Sequence, residues 1–222
     1  MIKAIYFMYR KPGWAVEDFQ DYWRTTHAGL VRKVPGIRRY VQCHTLLSGY
    51  RRPSPPPADG IEEITFDAVN GVKVFETTDA GRSAVADFDN FADTDRIHRI
   101  LTEEIIIKEG PVHEGMVKSI EFVTRKPHMP LADFHRYWEK IHGPIAAKIH
   151  VINRYVQSHT LMGEYEKADP PVYDGLAETW FDDTGAMRIS AATPEYVATR
   201  ADEDNFLANE LPVIITKEIK IV

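Results

Sequence analysis

Two stretches of the chain carry the same proton-handling side chains. Tyr40, Gln42 and His44 stand at alternate positions, with His27 upstream; Tyr155, Gln157 and His159 repeat the alternation, with His142 upstream. Alternate residues of a strand share one face. Here that face is built from large hydrogen-bonding groups and not from Lys, Glu or Ser, which suits a pocket wall better than open solvent. Imidazoles titrate near neutral pH and phenols donate protons, so such a set moves protons without a cofactor. A repeated histidine on an internal face also serves as a satisfied core residue, and for each one alone both readings stand. The set says more than its members. Of nine histidines, only the 27/142 and 44/159 pairs recur at one spacing; His98, His113, His128, His135 and His150 have no repeated partner and read as surface residues.

That spacing is an internal repeat. Shifting the chain by 115 positions lays residues 11–46 on 126–161 without a gap, and sixteen of thirty-six positions are identical. The same shift carries Asp59-Gly60 onto Asp174-Gly175, Glu63 and Phe66 onto Glu178 and Phe181, and Asp89-Asn90-Phe91 onto Asp204-Asn205-Phe206. Two copies make a duplicated domain and not a solenoid. The boundaries read as 1–108 for copy one, 109–115 for a polar linker with two glycines and a proline, and 116–222 for copy two.

Each copy reads as β-α-β-β-α-β, the split βαβ pattern. Short apolar and aromatic runs at 2–9 and 116–124 are strands. The helix that follows is marked in copy two by Pro130 and by Leu131, Phe134, Trp138 and Ile141 at helical spacing. Strands are expected at 37–47 and 152–162, at 61–66 and 176–181, and at 100–108 and 213–222. Broken helices fill 69–92, interrupted at Gly81, and 184–207, interrupted at Pro194. The fold class is therefore α+β: two ferredoxin-like repeats whose four-stranded antiparallel sheets form an intramolecular α/β barrel.

Composition narrows the function. At 44% hydrophobic and 27% charged the chain is an ordinary globular protein, and a net charge of −6 favours neither nucleic acid nor anionic lipid. No secretory signal and no membrane-spanning run is read, so a cytoplasmic location is expected. Cys43 is the lone cysteine. Two imidazoles and one carboxylate per copy fall short of three or four convergent ligands, so no metal site is expected. Phosphate-loop, nucleophile-elbow and Cys-x-x-Cys motifs are missing from the sequence.

The run Asp133-Phe134-His135-Arg136-Tyr137-Trp138-Glu139-Lys140-Ile141-His142-Gly143-Pro144 resembles the helix signature of the EthD-like family, within the dimeric α/β-barrel superfamily. Residues 153–159 and 173–181 resemble the family's second and third strands. Copy one carries the same marks but has Thr65 where copy two has Trp180. The resemblance implies a small-molecule site in each copy, with His27 and Tyr40 or His142 and Tyr155 lining it. The expected function is a cofactor-free acid/base enzyme, a lyase, dehydratase, cyclase or isomerase, acting on a small oxygenated cyclic or aromatic compound. The expected catalytic residues are His142, Tyr155, His159, His27, Tyr40 and His44. Gln157, Gln42, Glu178, Trp180 and Glu63 are expected to bind substrate, although an ion pair explains the two glutamates equally well. One histidine would remove a proton and the other return it, and Trp180 would make copy two the better pocket. A small organic molecule is the expected partner, and pairing of whole chains into a homodimer is left open. The rival readings are a non-catalytic carrier and a haem- or oxygen-using oxidoreductase of the same superfamily.

Overall fold

A computed structural model describes residues 1–208 and 211–222. Repeat one runs β1 (Ile2–Met8), α1 (Val16–Tyr22), α2 (Ala28–Val31), β2 (Arg39–Thr45), β3 (Gly60–Phe66), α3 (Val69–Thr77), α4 (Asp79–Phe91) and β4 (His98–Lys108). Repeat two runs β5 (Val117–Val123), α5 (Leu131–Tyr137), α6 (Gly143–Ala146), β6 (Arg154–Thr160), β7 (Gly175–Phe181), α7 (Thr184–Ser190), α8 (Pro194–Glu203) and β8 (Val213–Lys220).

The chain forms two compact units, Met1–Thr102 with Thr216–Val222, and Glu103–Ile215. In the first, β1 pairs antiparallel with both β3 and β4, and β2 pairs with β3. The end of β8 completes this unit by pairing with β2, Thr45 against Thr216 through Val41 against Lys220. In the second unit β7 lies between β5 and β6. Because β4 and β8 each begin in one unit and end in the other, the strand order closes as a barrel, β1-β3-β2-β8-β5-β7-β6-β4. The expected α+β fold with two ferredoxin-like repeats is thus observed.

Between α1 and α2, and between α5 and α6, the helix widens into a π turn, Trp23–His27 and Trp138–His142. The wider turn resets which residues face inward. Phe19, Trp23, His27 and Val31 are fully buried at a constant spacing of four, and Phe134, Trp138, His142 and Ala146 follow suit. Ile141, expected on the buried stripe, is instead 46% exposed. The π turn rotates it outward, while His142, four residues after Trp138, is buried as its spacing predicts. The break in the third helical stretch also moves. It falls at Thr78, whose side chain caps the Gly81 N–H, and Gly81 sits in the first turn of α4, where a Cβ would collide with the Phe75 carbonyl. The later break is at Pro194, as expected, with Thr193 as the cap.

Asp-Gly recurs for packing. A Cβ on Gly60 would lie 2.7 Å from the Trp23 ring, and one on Gly175 2.8 Å from Trp138. The preceding Asp59 accepts from the Arg10 N–H and side chain and from Tyr50 Oη; Asp174 does the same with Arg125 and Tyr165. No helix among the described residues is long and apolar enough to cross a membrane.

A fragment of residues 1–108 lacks Thr216–Val222 and so leaves the backbone edge of β2 unpaired. It is expected to self-associate or aggregate in gel filtration. A soluble, monomeric fragment with native circular dichroism would contradict this.

Candidate functional site

On the helix-facing side of β2 the alternating residues form one directed relay. His44 Nε2 donates to Gln42 Oε1 at 3.0 Å, since an amide oxygen can only accept. Gln42 Nε2 donates to the Trp23 carbonyl at 2.8 Å and to Tyr40 Oη at 2.6 Å. The Trp23 carbonyl also accepts the π-turn N–H of Ala28. With its oxygen occupied by Gln42, Tyr40 donates to Glu62 Oε2 at 2.9 Å, and Trp23 Nε1 donates to the same oxygen at 2.7 Å. His27 Nε2 stands 3.5 Å from it, and His27 Nδ1 donates to Asp87 Oδ2 at 2.9 Å. Tyr22 and Asn90 also donate to Asp87.

Repeat two rebuilds this skeleton. His159 donates to Gln157 at 2.9 Å, Gln157 to the Trp138 carbonyl at 2.9 Å and to Tyr155 Oη at 3.0 Å, and His142 Nδ1 to Asp202 Oδ2 at 2.9 Å. Tyr137 and Asn205 complete the shell of Asp202. The Trp138 ring lies flat on His159, centroids 4.4 Å apart, as Trp23 lies on His44 at 4.5 Å.

One group is missing: Ala177 stands where repeat one has Glu62. The neighbouring strand changes with it. Tyr6 pairs with Glu62 across β1 and β3, whereas Glu121 pairs with Ala177 across β5 and β7. Val85 and Phe88 of α4 are replaced at the equivalent places by Arg200 and Glu203 of α8. In repeat one Phe88 stacks on His27 at 4.8 Å and packs against Tyr6 at 5.8 Å, so the imidazole is sealed in. In repeat two Arg200 Nη1 lies 2.9 Å from Glu203 and 3.7 Å from Glu121. Glu121 sits in mid-strand between buried neighbours, and its side chain is 30% accessible.

The two helix histidines therefore differ in charge. Burial alone would lower His27, but the Glu62 charge and the bonds to Asp87 and Glu62 outweigh it and raise its pKa to about 9. At neutral pH His27 is an imidazolium. His142 has no such carboxylate; burial outweighs the pull of Asp202 and lowers its pKa. Burial pushes Asp202 upward, but hydrogen bonds from Tyr137, His142 and Asn205 hold it below the usual carboxylate range. His142 is thus neutral, its Nδ1–H is fixed on Asp202, and its Nε2 lone pair has no hydrogen-bond partner among the described residues. Burial raises Tyr155, with the charges of Glu121 and Glu203 adding to the shift, so the phenol keeps its proton. Burial and Glu121 raise Glu203 to about 8, against the pull of Arg200, so it too is protonated at neutral pH. His44 and His159 are pushed by burial to about 3 and stay neutral.

The structure brings together His27, Tyr40, Gln42 and His44 in one unit and His142, Tyr155, Gln157 and His159 in the other. It places Glu63, Glu178 and Trp180 on the opposite strand face. Lys3 Nζ lies 3.5 Å from Glu63, Lys118 Nζ lies 2.6 Å from Glu178, and the same ammonium is 4.6 Å from the Trp180 ring centre. His135, read as a surface residue, is half-buried with its ring 4.6 Å from His159. His44 borders a cleft of about 450 Å³ lined also by Gln20, Arg24, Leu47 and Lys217. Asp87 and Asp202 went unread although they match at the 115-residue shift. Glu62, Glu121, Arg200 and Glu203 break the repeat, so it gave no signal for them.

Fold and site define a duplicated ferredoxin-like protein with a helix histidine backed by aspartate in each repeat. The EthD domain model matches residues 11–95 and again 126–210, and the chain belongs to that family as a tandem member. An anthrone oxidase-like protein superposes with a TM-score of 0.66 at 10% identity, covering 99% of this chain and 92% of that one. A monooxygenase-like protein from Lactobacillus acidophilus gives 0.58 at 14% identity over 100% and 94%. A haem-binding protein from Thermus thermophilus gives 0.55 at 12% over 99% and 92%. At such identities the likeness is one of fold. No curated protein sequence matches the chain significantly.

The His27 shift sets a pH dependence. A folded-state pKa raised above the ordinary 6.5 contributes stability that is full below 6.5 and lost as pH rises through about 9. Thermal denaturation should show Tm falling across that window, by the equivalent of on the order of 3 kcal/mol. The Glu62→Gln variant should flatten the fall, and a wild-type Tm unchanged from pH 6.5 to 9 would contradict the assignment.

Proposed function

We propose that the chain is a cofactor-free acid/base enzyme acting on a small oxygenated ring compound, and that the working site is in repeat two. The supporting observation is His142, a neutral imidazole with Nδ1 held by Asp202 and Nε2 unpartnered among the described residues. In this reading Nε2 removes a proton next to a substrate carbonyl or from a ring hydroxyl. The electron pair stays on the substrate as an enolate or phenolate, and the imidazolium returns the proton at another atom or to a leaving group. Such chemistry covers lyase, dehydratase, cyclase and isomerase steps. Tyr155 donates to the developing oxyanion, because Gln157 already occupies its lone pair. His159, too weakly basic to exchange protons near neutrality, is a positioning residue that orients Gln157. His27, Tyr40 and His44 form a filled counterpart in repeat one.

The haem reading draws on fold neighbours. A haem would draw on an imidazole such as His142 as its ligand and would need an apolar slot beside it, but the charged Arg200, paired with Glu203 and near Glu121, acts on His142 there. Among the described residues no group of three or more His, Cys, Asp or Glu is placed to hold a metal ion. The residues present do not fit haem.

The test is solvent-deuterium exchange at the α-carbon of small cyclic ketones and hydroxyketones, followed by NMR. Wild-type protein is expected to accelerate exchange of a member of such a panel. His142→Ala should lower that rate by roughly 10²–10⁴-fold with circular dichroism unchanged. Tyr155→Phe should cost about tenfold, the worth of one hydrogen bond. Saturable binding without exchange would favour the carrier reading, and full activity of His142→Ala would remove the proposed base.

A further inference from the structure

The cradle that lacks an acid in repeat two is occupied by one in repeat one. Glu62 Oε2 there takes the indole N–H of Trp23 at 2.7 Å and the phenol O–H of Tyr40 at 2.9 Å, and lies 3.5 Å from His27 Nε2. The carboxylate is fully buried, as are all three partners. Three convergent groups on one oxygen make a built anion site, filled by the protein's own side chain.

Repeat two keeps the cradle and removes the occupant. The helix imidazole is 2.9 Å from its aspartate in both repeats, the tryptophan carbonyl takes the glutamine amide at 2.8 and 2.9 Å, and the histidine–glutamine bond measures 3.0 and 2.9 Å. Tyrosine and tryptophan rings are buried alike. Of the groups in direct contact with Glu62 Oε2, all are kept, while the acid becomes Ala177 and the residues that cover it become Glu121, Arg200 and Glu203. The Tyr155 hydroxyl proton, which repeat one directs at Glu62, has no acceptor among the described residues.

We propose that repeat two binds a substrate oxygen as an anion in the space that Glu62 fills in repeat one, so that Trp23, Tyr40, His27 and Glu62 are a resident image of the enolate or phenolate state of repeat two. This rests on the acid/base reading for the identity of the anion, though not for the existence of the site. The charges agree with it. Repeat one holds an anion beside an imidazolium backed by aspartate, the arrangement reached in repeat two when a proton passes from substrate to His142 Nε2. An uncharged substrate enters, one proton moves within the complex, and net charge is conserved. The ligand class is a carbonyl, enol or phenol of planar shape, its oxygen on Trp138 and Tyr155, and a second polar group toward Arg200 and Glu203.

The experiment is an NMR titration of the full chain, labelled in its histidine imidazoles, with sodium benzoate as a stable planar oxyanion and sodium chloride as control. In the wild type benzoate should shift the His142 resonances saturably, raise their titration midpoint and leave His27 unmoved. Ala177→Glu should raise the His142 midpoint without ligand and weaken benzoate binding by more than about tenfold. Glu62→Ala, which deletes atoms and does not insert them, should lower the His27 midpoint and make His27 respond to benzoate. Benzoate that leaves His142 unmoved, or that binds Ala177→Glu as well as wild type, overturns the proposal. The deuterium-exchange assay separates the two readings. Benzoate binding with no exchange activity upholds the anion site and rejects the enzyme. Exchange that persists at saturating benzoate rejects the anion site and spares the acid/base chemistry.

Discussion

A carboxylate with no contact with solvent is stable only if its charge is matched by donors and by an opposite charge. Glu62 meets that demand at Oε2 with hydrogen bonds from an indole and a phenol and with the His27 ring 3.5 Å away, while Oε1 has no hydrogen-bond partner among the described residues; the charge beside it raises the His27 pKa to about 9. The rest of repeat one conforms to this. With the site full, Phe88 and Tyr6 close over it as an apolar lid. In repeat two the acid is absent from β7, the same imidazole is neutral, and the covering residues become Glu121, Arg200 and Glu203.

What the repeats share is the machinery for aiming hydrogen bonds. Tyrosine, glutamine and histidine alternate on one strand so that each fixes the next, and the glutamine also satisfies a carbonyl at the π turn. The tryptophan between helix and strand is clamped by the strand histidine on one side and by glycine backbone on the other. The result is a phenol whose lone pair is occupied and whose proton points at the site. The π turn is part of this device: it turns Ile141 out to solvent while Trp138 and His142 stay buried.

Much of this was legible in the sequence, and the failures have physical causes. The 115-residue shift revealed the duplication, and strand alternation put Tyr40, Gln42 and His44 on one face, because a period of two survives any error in strand ends. The helix stripe misled at Ile141, since a period of 3.6 assumes no π turn. A repeat also draws the eye to what the copies share. Glu63 and Glu178 recur and invited a functional reading, yet they hold ion pairs on the far face. The distinction lies one residue earlier, at Glu62 and Ala177, where the copies differ and the repeat is silent. Asp87 and Asp202 were within reach, two positions before the Asp-Asn-Phe match.

The central claim is that one skeleton carries a charged, filled site in repeat one and a neutral site that lacks the acid in repeat two. The most direct measurement is the ¹⁵N spectrum of the histidine side chains of the ligand-free protein at neutral pH, which reads protonation and tautomer at each ring. The account predicts that His27 carries protons on both nitrogens, and that His142 carries one on Nδ1 with Nε2 bare. A doubly protonated His142, or a neutral His27, would contradict it.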